Sequence, residues 1–518
     1  MGWTTLRWCF GVLLVAAALA TGSGAQAQTV RIHLKADPPS LDPFQHIDLT
    51  ASSVLDHVYE GLTTVGDDGL PVPALATRWE ARDDGRTWRF HLRTDVVFHS
   101  GRPFTALDVK WTFEKLLSDV ADRSIEAFGL RKVVGADDLI AGKAHDLSGV
   151  TVVDRHTLDV TLTEPDSVFP YHRFYIVDRG IAAEAGRDWP ETASGGTGPF
   201  RLARWDKGIG IRLTRFDRYW AKPRTVEGLD FQIIESPEAA LAAYDEGRLD
   251  VLIVPEPVIR WVWTTRRYEN DRVLAPRAQM RAVGFNRALF APFRDRRVRE
   301  AVALVINQAA LAEALYPHAA TVTGGLVPSA VGGPRSRLPV RPYDPVRAQA
   351  LLAEAGYPDG RGFPPLEIAA LKAGQEEAAY VGSQLQMVLH IPAEVSILER
   401  KEYFGRLDRR SLPMVVWGWT TRSADPMYFL GLLWKSGSPF NRLDWADAEY
   451  DALLARAERQ VDTTERYALY GALERLLFDD IASVALPTPD HVVLRKPWLD
   501  SIRVKPYGQI EIGRPPHD

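Results

Sequence analysis

Cysteine is almost missing from this chain: there is one in 518 residues, Cys9. It precedes a short apolar run, Phe10 to Ala20, so no disulfide can form beyond that run. A chain this long buries enough core to do without such staples. A lipid-anchored exported protein would carry its cysteine just after the run, and none stands there. Long apolar stretches are missing too. The Phe10–Ala20 run spans 11 residues, against the roughly 20 that cross a bilayer, and no later stretch is longer and as apolar. Basic excess is absent: 62 Lys and Arg face 67 Asp and Glu. That mild acidity argues against a nucleic-acid partner, which calls for a basic surface. Low-complexity segments and fixed-period repeats are absent as well.

Catalytic signatures are equally scarce. There is no H-E-x-x-H, no G-x-S-x-G and no G-x-x-x-x-G-K phosphate loop. The 12 histidines are scattered without paired metal-ligand spacing, and His91 and His99, in or beside a strand hairpin, read as structural or surface residues. Gly195-Gly196-Thr197-Gly198-Pro199 looks like a phosphate cradle, but a proline and then a strand follow it, so a tight turn is expected. No metal and no cofactor are expected.

What is present begins with an export signal. Arg7 supplies a basic start, Phe10–Ala20 the apolar middle, and Ala25-Gln26-Ala27 a small-x-small cleavage site. Residues 1–27 are therefore expected to be a signal peptide, with the mature chain starting near Gln28. Removing them takes away one Arg and no acid, which moves the net charge from −5 to −6. The remainder is too long for one core and predicts two to four domains.

Strand and helix signals are mixed. Val30, Ile32 and Leu34 alternate with polar residues, as do Trp88, Phe90 and Leu92, and Leu158, Val160 and Leu162; each predicts a half-buried strand. The region 200–213 adds a hairpin broken at Asp206-Lys207-Gly208. Thr105 with Asp108 reads as a capping box opening a helix. From Leu229 the style changes. A strand over 229–233 is followed by Ser236-Pro237 as cap and first helical residue, a stop at Gly247, and a strand over 249–254. That is a βαβ unit and implies parallel pairing. Asp344-Pro345 opens a helix closed by Gly356; Leu366, Ile368 and Ala370 form a strand; Gln375–Leu389 is helical. Met414 to Trp419 reads as a buried strand, and Thr463 as the cap of a helix ending near Phe478. Prolines and short strands fill 482–512. The expected class is α/β with an early hairpin-rich insertion. Trp417 and Trp419 end a strand, where open α/β sheets place ligands, and so are candidates to face one.

In order along the chain stand Leu41-Asp42-Pro43; Val58-Tyr59-Glu60-Gly61-Leu62; Pro73-Ala74-Leu75-Ala76 and Trp79; Asp84-Gly85-Arg86-Thr87-Trp88-Arg89-Phe90; and Val97 through Val109. Gly196-Thr197-Gly198-Pro199-Phe200, Phe285-Asn286, Asp295 to Arg299, and Asp425-Pro426 follow. Each is weak alone, but the ordered set is specific. The chain resembles the extracytoplasmic solute-binding proteins of peptide- and nickel-class ABC importers from about residue 30 to its end. That resemblance implies two lobes joined by two hinge strands, with an extra subdomain in the first lobe. The implied division is 28–58, 196–283 and 488–518 for the first lobe, 59–195 for the inserted subdomain, and 284–487 for the second lobe. Crossings are expected near Phe285-Asn286 and at 482–487. It further implies a monomer in the periplasm that binds a small ligand without turnover, encloses it by a hinge motion, and delivers it to inner-membrane ABC permease subunits.

In peptide-binding members of that family, the loop after Gly-Trp carries an Asp that pairs with the peptide's free amino group. The matching stretch here is Gly418-Trp419-Thr420-Thr421-Arg422-Ser423-Ala424-Asp425, with Arg422 at that position. A cation facing an ammonium is repelled, and an unpaired buried charge costs several kcal/mol. If Arg422 faces the cleft, the ligand offers a carboxylate, phosphate or other acceptor; otherwise it turns away onto a neighbour such as Asp425. The resemblance also makes Gln45, His46 and Asp48, after Leu41-Asp42-Pro43, and Asn286 candidate ligand contacts. Competing readings are a metal-chelate binder, an exported hydrolase of glycans or peptides, and a sensor that reports occupancy.

Overall fold

The alternation at Val30, Ile32 and Leu34 becomes the strand Thr29–Leu34, with all three side chains buried. In this computed structural model the described residues are 28–44, 49–66, 68–120, 125–184, 195–221, 226–333, 338–421, 425–499 and 502–512. The expected signal segment, Gln45, His46, Asp48 and Arg422 lie outside them.

Thr29–Leu34 sits inside a seven-stranded sheet. The order is Arg272–Ala275, His491–Arg495, Val251–Ile253, Thr29–Leu34, Gly228–Ile233, Gly210–Arg215 and Phe200–Asp206. The predicted βαβ unit is present. Gly228–Ile233 and Val251–Ile253 both run parallel to Thr29–Leu34, one on each side. Between them, Ser236 Oγ accepts from the Ala239 N–H at 3.2 Å and Pro237 opens the helix Pro237–Asp245. The remaining pairs in this sheet are antiparallel. A separate four-stranded antiparallel sheet holds Ala76–Arg82, Thr87–Leu92, Thr157–Thr161 and Val150–Asp154, in that order. This is the hairpin-rich portion, and it shares one apolar core with the seven-stranded sheet. The Gly195–Pro199 turn packs hard against residues 57 and 58: a Cβ on Gly196 would lie 1.9 Å from the Val58 carbonyl oxygen. Glycine there serves close packing.

A five-stranded sheet forms the second lobe, in the order Ala393–Leu398, Leu366–Leu371, Met414–Thr420, Gln279–Phe285, Ser483–Ala485. Both its faces are covered. Val283, Phe285, Ile368, Met414 and Val416 pack towards helices Arg296–Leu304, Pro345–Glu354 and Gln375–Leu389. Met280, Ala282, Val415 and Trp417 pack towards Met427–Trp434, Ala448–Arg459 and Thr463–Asp480.

The chain passes from the first sheet to the second at residues 276–278 and returns at 486–490. The first crossing thus lies ahead of Phe285-Asn286, and Gln279–Phe285, mostly placed in the first lobe by the 283/284 boundary, belongs to the second sheet. The reason is burial: this strand carries apolar side chains on both faces and needs cover on both. Two caps also differ from expectation. Asp462, not Thr463, caps the last long helix by accepting from the Glu465 N–H at 2.9 Å. At Thr105 half of the capping box is as expected, Asp108 Oδ2 accepting from the Thr105 N–H at 2.9 Å, but the Thr105 hydroxyl donates to that same oxygen at 2.9 Å instead of accepting from the helix.

Candidate functional site

The parallel strands of the first lobe end together at Leu34, Ile233 and Ile253. Ligands of open α/β sheets sit beyond such carboxyl ends. Both crossings leave from the same edge, because Ala275 pairs with His491. Residues 35–44 cover that edge and are pinned from below. Asp37 accepts from Trp205 Nε1 at 2.9 Å and from the Gly208 N–H at 2.6 Å. Asp42 Oδ1 accepts from the Phe44 N–H at 2.8 Å.

The opposing wall is Met414–Thr420. Its neighbour Leu366–Leu371 pairs with it only at Met414 and Val415. From Val416 onward its ladder partner is Gln279–Phe285 alone, with Gly418 opposite Arg281 and Thr420 opposite Gln279. Among the described residues, the other edge of 416–420 has no strand beside it. Side chains alternate along this wall. Gly418 and Thr420 share a face with Arg281 and Gln279. Trp417 and Trp419 point the other way: Trp417 meets Trp434 edge-on at 6.0 Å between ring centres, and Trp419 meets Phe440 at 5.4 Å. Both indole N–H groups are buried without a hydrogen bond. The two tryptophans therefore form the packed underside of the wall, while its backbone and Thr420 form the rim, with Thr421 next in the chain.

Asp425 is the next described residue after Thr421. It is fully buried; Oδ1 accepts from the Met427 N–H and the Tyr470 hydroxyl, both at 2.8 Å. Arg466 Nη2 stands 3.6 Å from Oδ2. Burial pushes this carboxyl above its ordinary range, against the pull of Arg466. Its two hydrogen bonds tie position 425 to the start of Met427–Trp434 and to Thr463–Asp480. Asn286 stands apart. It lies past the far end of Gln279–Phe285, about 20 Å from Gln279 at the rise of a strand. There it is spent on backbone, donating to Arg410 O at 2.9 Å and accepting from the Leu289 N–H at 3.0 Å. Thr420 and Thr421 end the wall and Asp425 is held in the core of the second lobe, while Asn286 stands apart at the other end of the strand pair.

Sequence reasoning missed the floor. Glu256, just after Val251–Ile253, accepts from Arg277 Nη1 at 2.5 Å and Arg281 Nη2 at 2.9 Å. Arg281 also pairs with Glu377 at the start of Gln375–Leu389, and Tyr316 donates to the same Glu377 oxygen at 3.0 Å. Burial opposes the charge on Arg281, but Glu256 and Glu377 outweigh it and hold the guanidinium more firmly protonated than usual. A cation between Met280 and Ala282 in an apolar strand was the available signal, because a buried charge demands partners. Beside this floor, a cavity of about 810 Å³ lies between the lobes, with Leu70, Leu274 and Pro276 on the first side and Ala330 and Gly332 on the second. Among the described residues no group of three His, Cys, Asp or Glu could hold a metal ion, and no helix is long and apolar enough to cross a membrane.

Comparison with known proteins supplies the family. Residues 71–441 match the bacterial extracellular solute-binding proteins, family 5 Middle. Di/tripeptide-binding protein 1 of Pseudomonas aeruginosa is 26% identical over 545 residues, covering 97% of each chain. The probable deoxycholate-binding periplasmic protein YgiS of Escherichia coli is 26% identical over 491 residues, covering 92% of this chain and 90% of that protein. The murein tripeptide-binding protein MppA of Escherichia coli matches in structure with a TM-score of 0.72 at 24% identity, covering 94% of this chain and 99% of that one, which shows a shared two-lobed fold. The chain belongs to the bacterial extracellular solute-binding proteins of family 5, the peptide and nickel class of ABC importers.

Proposed function

We propose that this chain is the periplasmic binding component of an ABC importer and captures a peptide or peptide-like ligand by closing its lobes. It then presents that ligand to inner-membrane permease subunits. The observation that carries this reading is the edge of 417–420, which has no strand beside it among the described residues. An extended main chain can add there as a further strand, drawing affinity from backbone hydrogen bonds and selectivity from side-chain pockets. The di/tripeptide-binding relative supports the ligand class. Arg422 follows that edge by two residues, where peptide-binding members carry the amine-binding Asp. It gives the site a preference for a ligand that ends in a carboxylate or another acceptor.

A second reading has one specific support. YgiS is named for deoxycholate, a carboxylate on an apolar body, and Arg422 suits that chemistry as well. Calorimetry with trialanine, N-succinyl-dialanine and deoxycholate separates the cases. We expect N-succinyl-dialanine to bind more tightly than trialanine, and Arg422→Asp to weaken it roughly 10- to 100-fold, as for loss of a charge-assisted hydrogen bond. Deoxycholate binding without succinyl-peptide binding selects the second reading. Tight, unselective binding of ordinary peptides by the unmodified protein overturns the acceptor preference.

A further inference from the structure

Tyr467, Tyr470, Gly471 and Glu474 recur at i, i+3, i+4 and i+7 along Thr463–Asp480. That spacing puts them on one face of the helix. The face borders a cavity of about 570 Å³ within the second lobe. Its other walls come from the 322–333 segment and from Pro426 and Leu430, at Met427–Trp434. Val340, 43% exposed, stands where the cavity meets solvent. The described lining takes nothing from residues 35–44 or from Met414–Thr420, so this cavity is separate from the candidate ligand cleft.

Two polar groups in the lining lack what burial demands. Tyr467 is 4% exposed, and its hydroxyl is buried without a hydrogen-bond partner. Its ring is pressed against Gly333, where a Cβ would lie 1.8 Å from Tyr467 Cε1. Glu474 is 6% exposed. It meets only the backbone N–H groups of Leu326 and Val327, and among the described residues no cation pairs with it. A buried carboxylate of that kind is costly until a cation joins it. Two aromatic faces stand beside it. The Tyr467 and Tyr470 rings meet at 71° with centres 5.3 Å apart, and Tyr470 is fixed by its hydrogen bond to Asp425. Such a corner attracts cations. Arg466 lies 5.9 Å from the Tyr467 ring centre, but Asp425, 3.6 Å from it, offsets its charge. The Tyr467 oxygen calls for a donor, and a quaternary ammonium has none to give.

We propose that this cavity is a second binding site, for a primary ammonium ion carried on an apolar body. Glu474 supplies the counter-charge, the Tyr467 oxygen accepts an N–H, and the two rings with Val331 and Leu430 cover the rest. The site does not depend on the peptide reading of the cleft. Its pH dependence follows from Glu474, whose carboxyl burial pushes up to about 7. The titratable groups around it are Tyr450, Tyr467 and Tyr470, all raised by burial and so protonated throughout, and the Arg466–Asp425 pair. The 322–333 segment brings none.

Calorimetry with 2-phenylethylamine and its neutral counterpart 2-phenylethanol tests this. At pH 8 the amine should bind roughly tenfold or more tightly than the alcohol, as for a charge-assisted pair. Its affinity should fall several-fold at pH 6, where Glu474 is mostly protonated. Glu474→Gln should bring the amine down to the level of the alcohol and abolish the pH dependence. Tyr467→Phe keeps the ring and should cost the amine roughly 3- to 10-fold. Failure of the amine to bind at pH 8, equal binding of amine and alcohol, or amine binding unchanged in Glu474→Gln overturns the proposal. Displacement of the amine by N-succinyl-dialanine would put it in the cleft and overturn a separate site.

Discussion

Asp425 and Glu474 are both buried carboxylates on the helical side of the second lobe, and burial pushes both upward. Their surroundings differ. Asp425 has Arg466 nearby and two hydrogen bonds. Glu474 has only backbone help: Oε1 accepts from the Val327 N–H at 3.0 Å, beside Gly325, where a Cβ would lie 1.9 Å from that oxygen. Its carboxyl is pushed up from 4.5 to about 7. The folded protein therefore binds this proton more tightly than the unfolded chain. Stability that is full below pH 4.5 falls as pH rises through about 7, by on the order of 3 kcal/mol. Glu474→Gln keeps the acceptor and removes the charge. We expect it to melt with the parent at pH 5 and above it at pH 8, by on the order of 3 °C for a chain of this size. Thermal unfolding at the two pH values measures this. Parallel pH dependence in parent and variant would remove the buried charge as its cause.

At the scale of elements, the Met414–Thr420 strand shows how far the sequence could be read. Its existence and position were legible in an apolar run, Leu366–Leu371 in the apolar residues at 366, 368 and 370, and Gln375–Leu389 was read as helical over its whole length. Which way Trp417 and Trp419 point did not. A strand covered on both faces is apolar at every position, so alternation carries no sign of the outward side. The cap at Ser236 was legible because a serine and a proline at fixed offsets satisfy the first helical turn locally. Thr463 misled because Asp462, one residue earlier, supplies the better acceptor for the same turn. Gly418 is where the strand's geometry and the site meet. A Cβ there would stand 2.8 Å from the Met280 carbonyl oxygen of the paired strand. Gly418→Val must push the end of Met414–Thr420 away from Gln279–Phe285 and displace the open edge. At about 1–3 kcal/mol for overpacking, affinity for the bound probe should fall roughly tenfold or more. Gly374→Ala is the comparison: its Cβ would meet only side-chain atoms, Val416 Cγ1 at 3.3 Å and Ala370 Cβ at 3.9 Å, and affinity should be retained. Equal affinities for the two variants, by calorimetry, would show that the edge takes no part in binding.

Across the whole molecule the sequence was silent where contacts are long-range. Tyr171 and Arg466 are 295 residues apart, Arg31 and Asp250 219, and no periodicity relates them. The floor of the cleft is of that kind. Glu256 belongs to the first lobe, Arg277 to a crossing, and Arg281 with Glu377 to the second, so one carboxylate bridges both lobes at the hinge. Burial raises the Glu256 carboxyl, but Arg281 and Arg277 more than offset this and leave it below its ordinary range. Its contribution is therefore complete above pH 4.5 and lost only as pH falls through the lower folded value. Glu256→Gln leaves Arg281 its second partner, Glu377, so the second lobe keeps its own pairing while the link between lobes weakens by about 1.5–3 kcal/mol. On the proposed capture by lobe closure, a hinge held less firmly populates the closed state less, which lowers apparent affinity in proportion. We expect the ligand-free variant to show a larger radius of gyration by X-ray scattering than the parent at both pH 8 and pH 5, while the parent itself does not change between them. Expansion of the parent at pH 5, or a variant as compact as the parent at both values, would place control of the hinge outside this ion chain.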